Sequence, residues 1–466
     1  TPYSLGTRVR RLPITLRLRR AYAGLWREAE QFRQDFGGIE REFLSVQFDR
    51  MLDNDLGNLI RRLLNFHYRT NYYRLATACL ATLAHADLVP MVEALNRSLP
   101  SSEKPVGMTD LINVKEIVAT ARPVLRMWKI ARAALISSTV TRVICETPAP
   151  DLPARLQSFE AGRVFWNEVS AYIAEFYYLS DADEDYARPR LGQQPALVLS
   201  SLKQLVAANF AANPAASLLE RHTRQASEQA RANRYLSRGL LNSLLRRRSF
   251  SSQLQIVRTY IYWQEEMRVL LARANYLGHR VFVELGRRWA AQGVLDKPGD
   301  VFALSGAQLF GLLEGKSTAG DTRTSVERWN RVYAAFRNFS APWLLGQTTP
   351  ATRELPDKQT NKYAGIGCSG GRVTGIARVI DDLADAGKFT SGEILIAPFT
   401  NPGWVPLFSL AAAIVVEQGN LLSHEAVVAR QVGLPAVLQL KHATRFLQDG
   451  QRVTVDGNLG TVSVLT

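Results

Sequence analysis

The residues best suited to chemistry lie near the end of the chain, in Glu417-Gln-Gly-Asn-Leu-Leu-Ser-His424-Glu-Ala-Val-Val-Ala-Arg430 followed by Gly433-Leu-Pro-Ala-Val437. An imidazole on the first turn of a helix sits where backbone N–H groups and the positive end of the helix dipole favour an anion. There a histidine can act as both nucleophile and phosphate carrier. A lone Ser-His pair would read instead as a partly buried structural histidine. The flanking residues favour the chemical reading.

Three elements must position His424. The apolar run Ala411 to Val416 predicts a buried strand, Gly419-Asn420 a turn, and Ser423 the cap of a helix through its hydroxyl. The texture around them is of short β-branched runs between glycines: 372–380, 393–397, 413–416, 452–455 and 461–465. This predicts a compact α/β domain over 363–466. Gly365-Ile-Gly367-Cys-Ser-Gly370 satisfies the dinucleotide pattern but follows a linker and opens a strand, so its glycines are read as serving tight turns.

Upstream, apolar residues recur at helical spacing from about residue 8 to 345, with arginines between them. Pro90 is expected to interrupt one helix, and the proline-rich break at 147–153 is a candidate subdivision. The polar stretch 346–362 reads as a linker. The expected fold is therefore multidomain: a large all-α domain (1–345), a linker, and a small α/β domain (363–466).

Composition narrows the function. The chain has 466 residues, 46% hydrophobic, and a net charge of +15. From Lys362 onward eight basic residues match eight acidic ones, so the excess lies in the helical part. That charge suits an anionic substrate or partner. No zinc-finger or RNA-binding signature is present, so nucleic acid is not expected as a partner. Nor is a membrane, because no uncharged apolar stretch of about 20 residues and no signal peptide is seen. Cys79, Cys145 and Cys368 have no metal spacing and fit a reducing, cytoplasmic setting. The carboxylates of 179–190 lack the glycine and terminal glutamate of a calcium loop and read as a solvated loop, so no metal site is expected. The chain begins at Thr1, which predicts a processed or partial chain.

The C-terminal hundred residues resemble the mobile phosphohistidine domain of the phosphoenolpyruvate-utilising enzymes, a family that includes phosphoenolpyruvate synthase, pyruvate phosphate dikinase and the antibiotic-modifying rifampicin phosphotransferase. The matching pieces are Gly370 to Val379, Gly392 to Leu395, Thr400-Asn-Pro-Gly-Trp404, Glu417 to Arg430, Gly433 to Val437, Ala443-Thr444 and Asp449 to Gly457. The helical part resembles rifampicin phosphotransferase through Leu285 to Phe302 and Ala187-Arg-Pro-Arg190.

The resemblance implies a swivelling domain whose histidine, His424 here, carries a phosphoryl group from ATP to a small-molecule acceptor held by the helical part, with AMP and phosphate as by-products. Ser423, Thr400, Gly419 and Arg430 would lie near the phosphate. ATP and Mg2+ would bind an ATP-grasp module, upstream in cis or in trans, whose signature is not found in 1–345. A ligase or condensing enzyme of secondary metabolism, and a non-catalytic scaffold, are the alternatives. The chain departs from the family pattern at Val416, Asn420 and Glu425, the last expected to face solvent or pair with an arginine. Phe176-Tyr-Tyr-Leu179 departs in the helical part and implies an altered acceptor pocket.

Overall fold

The computed structural model describes residues 5–180, 185–208, 214–237, 243–336 and 361–465. Most of the proposed linker, 346–360, and part of the acidic loop, 181–184, lie outside them.

Three long helices, Leu5–Ser45, Asp53–Arg97 and Ser243–Ala291, form the spine of the helical part. At 1.5 Å per residue the last is roughly 70 Å long. Its apolar residues Met267, Leu270, Ala274, Leu277, Val281 and Leu285 repeat every three or four positions and meet Leu56, Leu59, Ile60 and Leu63 of the antiparallel neighbour. Farther along, Ala81 and Ala84, both fully buried, let the same two helices approach beside Leu254 and Val257. Pro90 does not interrupt its helix, contrary to expectation: Asp53–Arg97 runs continuously through it. That helix is also the single described one long and apolar enough to cross a membrane, although no such stretch was expected; it buries Leu80, Leu88, Val92 and Leu95 within the bundle.

Shorter helices, Arg122–Ala134, Ser138–Glu146, Leu152–Gln157, Glu160–Glu175 and Ala196–Ala207, surround a second core. Ile144 and Leu152 both belong to it, so the proline-rich segment between them is a corner inside one core. The core continues across the domain junction, where Val124, Met127, Val198 and Leu202 join a cluster with Trp404, Leu407 and Phe408.

The C-terminal part is an eight-stranded sheet: β1 (Lys362–Ala364), β2 (Ile366–Ser369), β3 (Arg372–Val379), β4 (Ile394–Ala397), β5 (Ala413–Val416), β6 (Ala436–Leu438), β7 (Arg452–Asp456) and β8 (Thr461–Val464). Their order is β1-β8-β7-β3-β4-β5-β6-β2, with β3 to β6 parallel. β4, β5 and β6 are buried on both faces, as parallel strands covered on both sides require. Alternate residues Ile394, Ile396, Ala413 and Val415 face one core; Leu395, Ala397, Ile414 and Val416 face the other. The glycines of the rejected dinucleotide pattern do more than make turns. A Cβ on Gly365 would lie 2.5 Å from the Leu438 carbonyl oxygen, and one on Gly367 2.4 Å from that of Gly457, so two of them permit close backbone crossing.

Candidate active site

His424 opens the helix His424–Val432 immediately beyond the C-terminal end of β5, the edge at which parallel α/β sheets place their ligands. The connecting loop is held by its own side chains. Gly419 has φ +103, and a Cβ there would meet Leu438 Cδ2 at 2.5 Å and Ser423 Oγ at 2.8 Å, so glycine is required twice over. Asn420 Oδ1 accepts from the Leu422 N–H at 2.7 Å. The Ser423 hydroxyl does not cap the helix, as the sequence had implied; it donates back to the Asn420 carbonyl at 2.9 Å. The Asn420 substitution thus supplies the bracket that shapes the turn.

The His424 ring is 2% exposed, and its Nδ1 lies 2.8 Å from Glu265 Oε2 on the long helix Ser243–Ala291. A carboxylate only accepts, so Nδ1 carries the proton and Nε2 keeps the lone pair. Nε2 is buried without a hydrogen-bond partner among the described residues. Glu265 is completely buried and also accepts from the Thr120 hydroxyl at 2.6 Å, while Arg268 Nε stands 3.8 Å from its other oxygen. Burial alone would raise the Glu265 carboxyl. The charge and hydrogen bond of His424, then Arg268 and Thr120, outweigh it and hold the group at about 2. Next to it, Gln264 donates to the Leu422 carbonyl at 3.1 Å, and Glu266 holds Arg122 at 2.6 Å and Arg33 at 3.2 Å.

The other expected site residues are placed as follows. Thr400 is buried in the loop after β4, with its Oγ1 unpartnered among the described residues; β4 and β5 are parallel neighbours, so this loop and the His424 loop leave the same sheet edge. Arg430, expected near the phosphate, is fully buried and donates to the carbonyls of Cys368 at 3.1 Å and Leu421 at 2.8 Å. Burial lowers its guanidinium to about 10. Its visible work is to tie the loop to β2. Glu425 neither faces solvent nor pairs with an arginine: it is buried and forms no ion pair among the described residues, because its helix is covered all round by sheet and bundle. Val416 lies in the core. Gln264, Glu265, Arg268 and Thr120 were absent from the expected site. The available signal was the polar run Gln264-Glu-Glu266 set between the apolar residues Ile261-Tyr-Trp263 and Met267.

A cleft of about 840 Å3 opens beside this pair, between the two domains. Arg268, Phe302, Trp329 and Tyr333 line it from the helical part; Asp381, Phe399, Asn401 and Trp404 line it from the sheet domain. Ala187 and Arg188, from the segment that resembled rifampicin phosphotransferase, complete the wall.

No group of three or more His, Cys, Asp or Glu residues among the described ones is arranged to hold a metal ion.

Residues 389–460 match the family model for the PEP-utilising enzyme mobile domain, and residues 76–265 that for the rifampicin phosphotransferase fourth domain. The chain is 29% identical over 301 residues to rifampicin phosphotransferase of Streptomyces sviceus, covering 64% of this chain and 34% of that protein. It is 28% identical over 325 residues to the prodigiosin synthesizing transferase PigC of Serratia marcescens (68% and 35%). To rifampicin phosphotransferase of Bacillus cereus it is 24% identical over 330 residues (66% and 36%). The chain thus spans about a third of the length of these relatives. One match contains His424 and the other ends on Glu265, the two residues that meet in the site; the chain thus carries a region similar to the PEP-utilising enzyme mobile domain and one similar to the rifampicin phosphotransferase fourth domain.

Proposed function

We propose that this chain is the acceptor-binding and phosphohistidine-carrying part of an ATP-dependent phosphotransferase, with the domains divided at the 346–362 linker. The observation that carries the reading is the asymmetry of the His424 ring: Nδ1 is held by a buried carboxylate and Nε2 has no partner. Nε2 is then the atom that bears the phosphoryl group. In the docked arrangement an acceptor hydroxyl attacks phosphorus, the P–Nε2 bond breaks, and the imidazole leaves neutral with its Nδ1 proton retained. The hydroxyl proton leaves to solvent as the ester forms; Glu265, on the Nδ1 side of the ring and held at about 2, fixes the tautomer through Oε2 and leaves Oε1 without a hydrogen-bond partner among the described residues. Arg268 stands beside that oxygen and offsets charge as it builds on the phosphoryl oxygens. Loading of His424 from ATP belongs to an ATP-grasp module outside the described residues, and no step of it is assigned to side chains here.

The likeness to PigC favours a second reading, in which the acceptor is phosphorylated only to activate it for condensation. The two differ in product: a stable phosphate ester in one, a condensed product and free phosphate in the other.

The test supplies β-labelled ATP and the ATP-binding part of a rifampicin phosphotransferase in trans. Acid-labile label should appear on His424 and be absent from His424→Ala. Equal labelling of the variant, or none of the unchanged chain, defeats the reading and favours a non-catalytic role.

A further inference from the structure

The interdomain cleft has a charge pattern that points to a class of ligand. Of its charged walls, Arg188 is paired with Asp185 at 3.8 Å and Asp382 at 4.0 Å, and Arg268 with Glu265 at 3.8 Å. Asp381 forms no ion pair among the described residues, although the chain carries a net charge of +15. The groups around it are mostly of its own sign: Glu417, Asp385 and Asp449 oppose its ionisation, after burial, and Lys388 alone favours it. A carboxylate so placed gains by meeting a cation.

The rest of the wall is aromatic. Trp329 and Tyr333 stack at 6.5 Å with their rings 23° from parallel, and both stand half exposed on Ala319–Phe336. Phe399, also about half exposed, faces the same cleft from the sheet domain. Aromatic faces beside an unmatched carboxylate attract an organic cation. The volume, about 840 Å3, is that of a drug-sized molecule rather than a small ammonium ion.

We infer that this cleft is the acceptor pocket and takes a planar aromatic cation, with its ring system against Trp329 and Tyr333 and its positive charge at Asp381. The inference rests on the reading of the chain as an acceptor-binding phosphotransferase part and adds the class of acceptor. Because Asp381 and Phe399 belong to one domain and Trp329 and Tyr333 to the other, the ligand also binds the docked state in preference to the undocked one.

Proflavine, a planar aromatic cation, serves as the probe, titrated by fluorescence against the full chain, with the anionic dye 1-anilinonaphthalene-8-sulfonate as the control. Asp381→Asn should weaken proflavine about fivefold and Trp329→Ala about tenfold, as expected for loss of a charge partner and of an aromatic face. Asp381→Asn should leave the anionic dye unchanged or bind it more tightly. The inference is overturned if proflavine does not bind, if neither substitution moves its affinity beyond twofold, or if Asp381→Asn weakens both dyes equally. Loss of His424 labelling with the dye pattern intact overturns the phosphotransferase reading alone; the converse overturns only the acceptor class.

Discussion

Glu265→Gln is the substitution that bears most directly on the docked site. It preserves shape and an oxygen for Thr120 and His424 but removes the charge. The carboxyl is held from 4.5 down to about 2, which corresponds to about 3 kcal/mol of preference for its ionised form. Thr120 and Arg268 belong to the same helical part as Glu265, so their share survives undocking; the charge and hydrogen bond of His424 do not. Glu265→Gln should therefore raise the undocked population by roughly ten- to a hundredfold. Diethylpyrocarbonate, which modifies accessible imidazoles, reads this population: His424 is buried when docked, and His442, partly exposed at the start of another helix, is the internal reference. The ratio of modification at His424 to that at His442, followed by mass spectrometry, should rise by that factor. The pH dependence has a fixed sign. A depressed carboxyl stabilises above its unfolded value and loses that contribution as pH falls from 4.5 through about 2, so the stability gap between wild type and Glu265→Gln should close across that window. An unchanged modification ratio, or a gap that widens on acidification, would refute the assignment of the pair.

Two further substitutions or modifications test the frame around the site. Gly419→Ala places a Cβ against Leu438 and Ser423 at φ +103 and should cost about 2 kcal/mol or more in urea denaturation; a loss under about 0.5 kcal/mol would show that the loop is not held as described. Ellman's reagent on the native chain should label exposed Cys79 first and leave Cys368 untouched until unfolding, because burial both hides its thiol and pushes it up to about 11. Rapid reaction of Cys368 would mean that β2 and Arg430 do not seal it.

The sheet domain was readable strand by strand where its strands are β-branched and bounded by glycine, as at Arg372–Val379 and Ala413–Val416. β1, β2 and β6 were not, since Lys-Tyr-Ala, Ile-Gly-Cys-Ser and Ala-Val-Leu carry at most one β-branched residue each and owe their pairing to partners distant in sequence. His424 was legible through its neighbours in sequence. Glu265 was not, because it lies 159 positions away and its role arises only when the two domains meet. Ser423 illustrates the limit of a local rule: a serine at a helix start ordinarily caps it, but here the tight Gly419-Asn420 turn brings the Asn420 carbonyl within reach first.

On the proposed carrier reading the sheet domain leaves this position in each cycle, and the interface contains opposing terms. Leu421, Leu422 and Val427 bury apolar surface in the bundle core, and Gln204 and Gln264 donate to mobile-domain carbonyls. Against these stand two buried guanidinium groups, Arg221 of the bundle and Arg430 of the sheet domain. Arg221 donates to the Gln431 carbonyl, yet burial, then Arg224 and Arg430, lower it to about 9. Arginine does not lose its proton in proteins, so the shift is a cost carried by the docked state as long as both groups are charged. Undocking restores water to Arg221 and separates it from Arg430. The apolar contacts and the His424–Glu265 pair must together outweigh that cost, so neutralising either side of the pair tips a balance that packing alone does not set.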